Sequence, residues 1–481
     1  MLFSIFARKP LSDIQSEAIE QEHGLSRSLT GLNVVLLGVG GIIGAGIFSI
    51  TGPAAAQYAG PAITLSFILS GLACVFAGLC YAELAAMIPI SGSAYTYAYA
   101  TLGQLVAWII GWDLVLEYMF GASTVAVSWS GYVVSFLKDF GIQLPPALTS
   151  SPFTFSHHDG WKSSGAIINL PAMIIVGLCS WLLYVGIRES AKFNNVIVAI
   201  KLTVLSLFII CGAMYVVPAN WVPFVPPSTG DFGHFGWSGV LRGAGVIFFA
   251  YIGFDSISAL AQETKNPQRD MPIGIIGSLV VCTIFYILVA TVLTGLVKYD
   301  QLNVPDSIAF AVNAAGESLA WLRPFLKGGA IAGLSSVVLL LLMAQPRIML
   351  SMSRDGLLPP AAGRIHPIYR TPYVTTVFTG VLSALIAGLF PIGVLGELVS
   401  IGTLLAFVLV CVGVLLLRVY EPEAHRPFKA PYVRFVSIAG ALSALAQMLA
   451  LPFDTWLRLF VWLAIGMLVY FGYAKRHARV Q

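Results

Sequence analysis

Long apolar runs alternate with short polar interruptions along this chain. A helix crossing a bilayer needs about 20 apolar residues. Twelve runs meet that need, at 31–57, 61–88, 103–137, 168–187, 193–217, 239–262, 272–297, 325–350, 373–391, 394–418, 432–450 and 454–474. They predict twelve spans. The longest connections, 138–167, 218–238 and 298–324, are predicted as extramembrane loops with room for short helices. The apolar start Met1–Phe6 is too short for a secretory signal. Ser12–Glu22 carries four acids and no base, and reads either as an amphipathic helix or as a disordered segment.

Two of the spans are interrupted. Span 1 contains Gly38-Val39-Gly40-Gly41-Ile42-Ile43-Gly44-Ala45-Gly46, five glycines in nine residues. Each costs roughly 1 kcal/mol against Ala in a helix. Broken backbone at membrane depth survives only where it is packed in protein or lines a cavity. Span 6 contains a second break, Gly245-Val246-Ile247-Phe248-Phe249-Ala250-Tyr251-Ile252-Gly253-Phe254-Asp255. Gly40 and Gly44 also form a GxxxG, a common helix-packing surface. Breaks at corresponding places in two halves instead point to a transport site. A repeat of five spans followed at once by another must be inverted. The predicted organisation is a cytoplasmic segment 1–30, a ten-span core 31–419 (repeats 31–217 and 239–419), spans 11 and 12 in 420–474, and a cytoplasmic tail 475–481.

Composition agrees with the pattern. The 481 residues are 58% hydrophobic and 10% charged, with mean hydropathy +0.86, which excludes a soluble multidomain protein. With the N-terminus inside, 18 of the 26 Lys and Arg fall on the cytoplasmic side and 7 on the other, with Lys201 inside a span. That satisfies the positive-inside rule with both termini cytoplasmic. The net charge of +4 is therefore topological and no argument for nucleic acid. All six cysteines lie in spans without a CxxC, so they read as apolar packers. His157-His158-Asp159 resembles a metal-ligand group but has no partners nearby, and no metal is expected. There is no P-loop GxxxxGK[ST] and no nucleophile–base pair in the spans. An enzyme is therefore not expected, and no cofactor.

Charges inside spans are functional hypotheses by default. Lys201 lies nine residues beyond Lys192, roughly 13 Å along a helix. It is a candidate proton carrier, with a structural cation paired to an acid as the alternative. Glu117 and Asp113 share a face of span 3, and either is a candidate partner for Lys201 or for a span 1 backbone group. Glu83 and Asp255 nearer span ends read as solvated or capping groups. Ser335 and Ser336 are the polar positions of an apolar stretch in span 8. Glu263–Pro272 and Ser353–Pro359 read as hinge-like turns, or as ordinary turn chemistry.

Several runs together are similar to one family. Gly40–Phe48 (GGIIGAGIF), Tyr81–Pro89 (YAELAAMIP), Ser91–Tyr99 (SGSAYTYAY), Gly111–Tyr118 (GWDLVLEY), Phe248–Asp255 (FFAYIGFD), Glu263–Ile275 (ETKNPQRDMPIGI) and Met352–Pro359 (MSRDGLLP) resemble the amino acid–polyamine–organocation superfamily. The likeness is greatest to the bacterial branch of its cationic amino acid transporter family, from about Gly24 to Tyr473. The resemblance implies an all-α integral membrane protein with the LeuT-type 5+5 inverted repeat, twelve transmembrane helices and discontinuous helices 1 and 6. It implies a substrate carboxylate held by N–H groups around Ile42, Ile43, Gly44, Ala45 and Gly46, where a helix N-terminus favours an anion. It implies an ammonium held by carbonyls at Phe249, Ala250 and Ile252, with Glu117 beside them. Lys201 matches a lysine that stands where sodium-coupled relatives bind a cation, with Ser335 or Ser336 as neighbours. Many relatives carry Ser or Thr at position 45; Ala45 offers no hydroxyl, so recognition there must rest on backbone.

The expected function is import of L-amino acids, by proton symport with alternating access, with neutral substrates favoured over cationic ones. The expected location is the cell inner (plasma) membrane. Alternatives are an exchanger, a sodium symporter, and a membrane-embedded sensor or channel. Oligomeric state and any small accessory subunit are not legible in the sequence.

Overall fold

The computed structural model describes residues 7–10, 14, 29–88, 93–156, 160–186, 191–255, 257–258, 261, 264–304 and 306–478, with backbone alone at 191–193. His157, His158, Asp159, Glu263 and most of Ser12–Glu22 lie outside the described residues.

Helix is found in each of the twelve apolar runs. The helices used below are α1 (Gly31–Ile42), α2 (Ile63–Met87), α3 (Ser93–Thr101), α4 (Gln104–Asp139), α5 (Leu170–Val185), α6 (Ala191–Ala213), α7 (Gly236–Ile247), α8 (Pro267–Leu296), α9 (Ser307–Ala314), α10 (Leu322–Arg354), α11 (Tyr373–Leu389), α12 (Ile392–Tyr420), α13 (Val433–Ala450) and α14 (Phe453–Val469). Among the described residues, eight helical stretches are long and apolar enough to cross a membrane. One is the run Gly31–Met87, which contains the first break, and α5 and α11 are shorter apolar helices.

The loop 138–167 departs from expectation. It carries a two-stranded antiparallel hairpin, β1 (Phe153–Ser156) and β2 (Gly160–Ser163), with Phe153 opposite Ser163. Phe153 and Phe155 both pack on Trp161, the cross-strand aromatic contact that stabilises a short pair. The loop 298–324 does hold short helices, α9 among them.

Charged side chains tie the helix ends. Glu83 of α2, expected to be solvated or capping, is buried instead. Arg418 of α12 grips it through Nε at 2.8 Å and Nη2 at 2.7 Å, and the Ala430 amide donates to it at 2.8 Å. Lys9 Nζ meets Asp355 Oδ1 at 2.8 Å, and Tyr95 of α3 donates to Asp355 Oδ2 at 2.7 Å. The Lys265 amide donates to Leu29 O at 2.9 Å. The contacts of Lys9 and Asp355 tie residues 7–10 to the ends of α3 and α10.

Candidate functional site at the two helix breaks

Helix α1 stops at Ile42 because Ile43 turns extended, with φ −71° and ψ 97°. Winding resumes as a wide turn over Gly46–Ile50. Helix α7 tightens into a 3₁₀ turn, Phe248–Tyr251, and then Ile252 extends at ψ 142°. Gly253 follows at φ +107°, a region that favours glycine. A Cβ at Gly253 would lie 2.9 Å from Gly41 O. A Cβ at Gly46 would fall on the backbone of Ala250. The two breaks are thus packed against each other, and glycine is what permits the approach. Rings hold the second break from outside. Phe248 and Phe254 both pack on Phe407 of α12, at 5.2 and 5.0 Å between centroids, and Tyr81 of α2 packs on Phe254 and Phe407.

A broken helix leaves carbonyls without amide partners on one side and amides without carbonyls on the other. The carbonyls of α1 are covered by side chains. Lys201 Nζ of α6, which is fully buried, donates to Gly40 O at 2.6 Å and to Ile43 O at 3.0 Å. Tyr286 OH of α8 lies 2.8 Å from Ile42 O and 2.7 Å from Ala250 O. One O–H therefore serves both breaks. The lysine stem lies against α10, where a Cβ at Gly333 would meet Lys201 Cε at 2.7 Å.

The amides divide differently from expectation. Ile43 N–H is spent on Val39 O, and Ile42 N–H lies inside α1. Among the described residues, the amides of Gly44 and Ala45 carry no hydrogen bond. On the facing break, Phe249 O accepts from the Ile252 amide at 3.2 Å and Ala250 O accepts from Tyr286. Ile252 O accepts nothing among the described residues. Among the described residues, the two breaks thus leave two open donors and one open acceptor. Gly44 faces Val337 of α10, which a Cβ there would meet at 3.4 Å.

The acids gather beside the second break. Glu117 is buried against Thr403 of α12, and its Oε1 has no partner among the described residues. Asp113 is fully buried, fits against Gly402, and has neither oxygen hydrogen-bonded, so it does not pair with Lys201. Asp255, expected near a solvated end, is buried and accepts from Tyr118 OH at 2.5 Å. Of the span 8 hydroxyls, Ser336 bonds Gly333 O at 2.9 Å, on the turn that touches Lys201. Ser335 bonds Ile331 O and receives Trp129 Nε1 at 2.8 Å, which turns it towards α4.

On the face opposite residues 7–10, a vestibule of ≈ 600 Å³ leads towards the wide turn. Ser49, Tyr58, His234, Asn303 and Glu397 line it, and Phe155 of the hairpin reaches in. Arg458 of α14 lies 4.5 Å from the Phe155 ring and 3.4 Å from Glu397 Oε2.

Tyr286 and Ser400, whose hydroxyl receives the Phe249 amide at 3.1 Å, were invisible in the sequence. Each is one polar atom in an apolar helix, and only the partner across the bundle gives it meaning.

Two helix breaks facing each other inside a bundle of apolar helices are the arrangement expected of a membrane permease. The sequence profile of the amino acid permease family matches residues 29–471, and the chain belongs to that family, within the amino acid–polyamine–organocation superfamily. It is 45% identical over 475 residues, 99% of each chain, to the methylthioribose transporter of Bacillus subtilis (strain 168). It is 45% identical over 478 residues, again 99% of each, to the branched-chain amino acid permease BcaP of the same organism. A cationic amino acid transporter of Arabidopsis thaliana, "transporter 4, vacuolar", is 37% identical over 87% of this chain and 68% of its own length.

Proposed function

We propose that this permease imports L-amino acids by proton symport. The architecture we propose is a LeuT-type 5+5 inverted repeat of twelve membrane helices in the cell inner membrane, with both termini cytoplasmic. The observation that carries the reading is Lys201 bound to Gly40 O and Ile43 O, next to open amides at Gly44 and Ala45. An ammonium makes charge-assisted bonds about twice as strong as neutral ones. Charged, Lys201 ties α6 to the end of α1 and holds the outward state. Neutral, it loosens that tie and permits release inward. Ser336, and through α10 Ser335, would set the lysine's surroundings.

In this reading the substrate carboxylate takes the open amides of Gly44 and Ala45, with Gly46 starting the next turn. Ile42 and Ile43 shape the site and give it no donor. The ammonium takes Ile252 O, and Ala250 O once Tyr286 yields it. Phe249 and Glu117 form the surroundings of that end. The vestibule supplies the outward route, and Lys9–Asp355 closes the inward one. The Val337 contact and the 45% likeness to a branched-chain permease favour neutral substrates.

Uptake into proteoliposomes tests the proposal, with L-leucine, L-alanine, L-arginine and methylthioribose as substrates. We expect neutral amino acids to accumulate when a pH gradient is imposed and to leak out on its collapse. Lys201→Ala should retain binding and lose gradient-driven uptake. Uptake by Lys201→Ala that still vanishes with the gradient would sink the assignment. Counterflow indifferent to pH would favour an exchanger, and a sodium requirement would favour a sodium symporter.

A further inference from the structure

We propose that a groove between the start of α8 and the loop 421–430 binds an anionic phospholipid. The groove holds ≈ 850 Å³. Gln268 and Arg269 line it from the first turn of α8, and Ile273 and Ile276 line it further along. His425 and Phe428 face them from the loop. From Arg269 to Ile276 the helix advances roughly 10 Å. Over that length the lining changes from basic and polar to aliphatic, as a lipid changes from headgroup to acyl chain.

The aliphatic part belongs to bilayer. Helix α8 is among the stretches long and apolar enough to cross a membrane, and Ile273 is 45% exposed on it. The basic part is unclaimed. Among the described residues, the exposed Arg269 guanidinium makes no hydrogen bond or ion pair. Its neighbour Asp270 faces α1, where a Cβ at Gly31 would meet its Oδ1 at 3.0 Å. A guanidinium pairs with phosphate through two parallel N–H bonds. Basic pockets between helices on the cytoplasmic side are where anionic headgroups are held.

The second wall is preformed. Arg426 donates to the carbonyls of Leu417, Glu421, Pro422 and Ala424 at 2.7–3.3 Å. It also lies 3.4 Å from Glu83, which anchors Ala430 as well. The loop cannot fold down into the groove without breaking this set. The groove also sits on the turn joining spans 6 and 7, so an occupant would brace the start of α8 against α1, where a Cβ at Gly274 would meet Val34. The leaflet assignment rests on the proposed topology, whereas the binding does not.

Native mass spectrometry of the delipidated full-length protein tests this. Phosphatidylglycerol and phosphatidylcholine are titrated against wild type, Arg269→Ala, Ile273→Trp and the exposed control Arg364→Ala. Wild type and Arg364→Ala should retain phosphatidylglycerol about fivefold better than phosphatidylcholine, the factor that ~1 kcal/mol gives for one basic side chain. Arg269→Ala should lose the preference, and Ile273→Trp should lose the lipid by filling the apolar end. Equal retention of both lipids by wild type overturns the proposal. So does an undiminished preference in Arg269→Ala, displacement by millimolar inorganic phosphate, or a co-purifying polypeptide in place of lipid. Size-exclusion profiles identify misfolded variants, and Ile273→Trp keeps the test open if Arg269→Ala is one. No transport is read, so failure here and failure of the symport proposal are distinguishable.

Discussion

Tyr286 shows how one atom can matter at this site. Its hydroxyl stands between Ile42 O and Ala250 O, one from each break. Tyr286→Phe removes the proton and leaves buried carbonyls bare, at roughly 1–3 kcal/mol. We expect a lower unfolding temperature in detergent together with slower uptake; an unchanged melting curve would refute the bridging role. Gly46→Ala drives a methyl into the Ala250 backbone. Overpacking of this kind costs about 1–3 kcal/mol, and uptake should fall to background. Gly44→Ala only reaches Val337 at 3.4 Å, so it should melt like wild type while weakening substrate binding in a thermal-shift assay. The glycine run was legible because glycine is costly in a membrane helix and needs a reason. Tyr286 was not, since a tyrosine in an apolar run reads as packing until its partners are known. Ile42 and Ile43 were assigned donors they do not have free, because spacing does not say where α1 takes its last turn.

At the scale of elements, the proposed closure of the inward route depends on Asp355 at the end of α10. It holds Lys9 from the N-terminal segment and Tyr95 from α3. Bonds to a charged group contribute about 1.5–3 kcal/mol each. Asp355→Asn should therefore shift the population towards a state with that route open. Labelling of a cysteine placed at Gly44, where a Cβ meets nothing nearer than Val337 at 3.4 Å, by a membrane-impermeant reagent in inverted vesicles measures this. Labelling no faster than in the parent would contradict it. Sequence marked Ser353–Pro359 as a charged turn but could not pair it, because Lys9 is 346 positions away. The hairpin was missed for a related reason. Its strands are four residues each, too short for an alternation signal, and their stability comes from Trp161 across the pair.

Across the whole molecule, the helices follow the hydropathy pattern because lipid forces every span to satisfy its own backbone. Charge pairing between distant spans left no such trace. Glu83 is the clearest case: it looked like an exposed end and instead joins α2, α12 and the loop before α13. Glu83→Gln leaves Arg418 and Arg426 without their carboxylate, and stranding a buried charge costs about 3–5 kcal/mol. A marked drop in the unfolding temperature is expected, with partial recovery in Glu83→Gln/Arg418→Met; no drop would show the network to be dispensable. The centre of the bundle has the opposite property, a permanent shortage. Ile42 O and Ala250 O compete for the single proton of Tyr286, so one of them is always underserved. In the proposed reading a substrate ammonium, which brings three donors, would make up that shortfall, so the substrate itself would complete the hydrogen bonding that the empty site lacks.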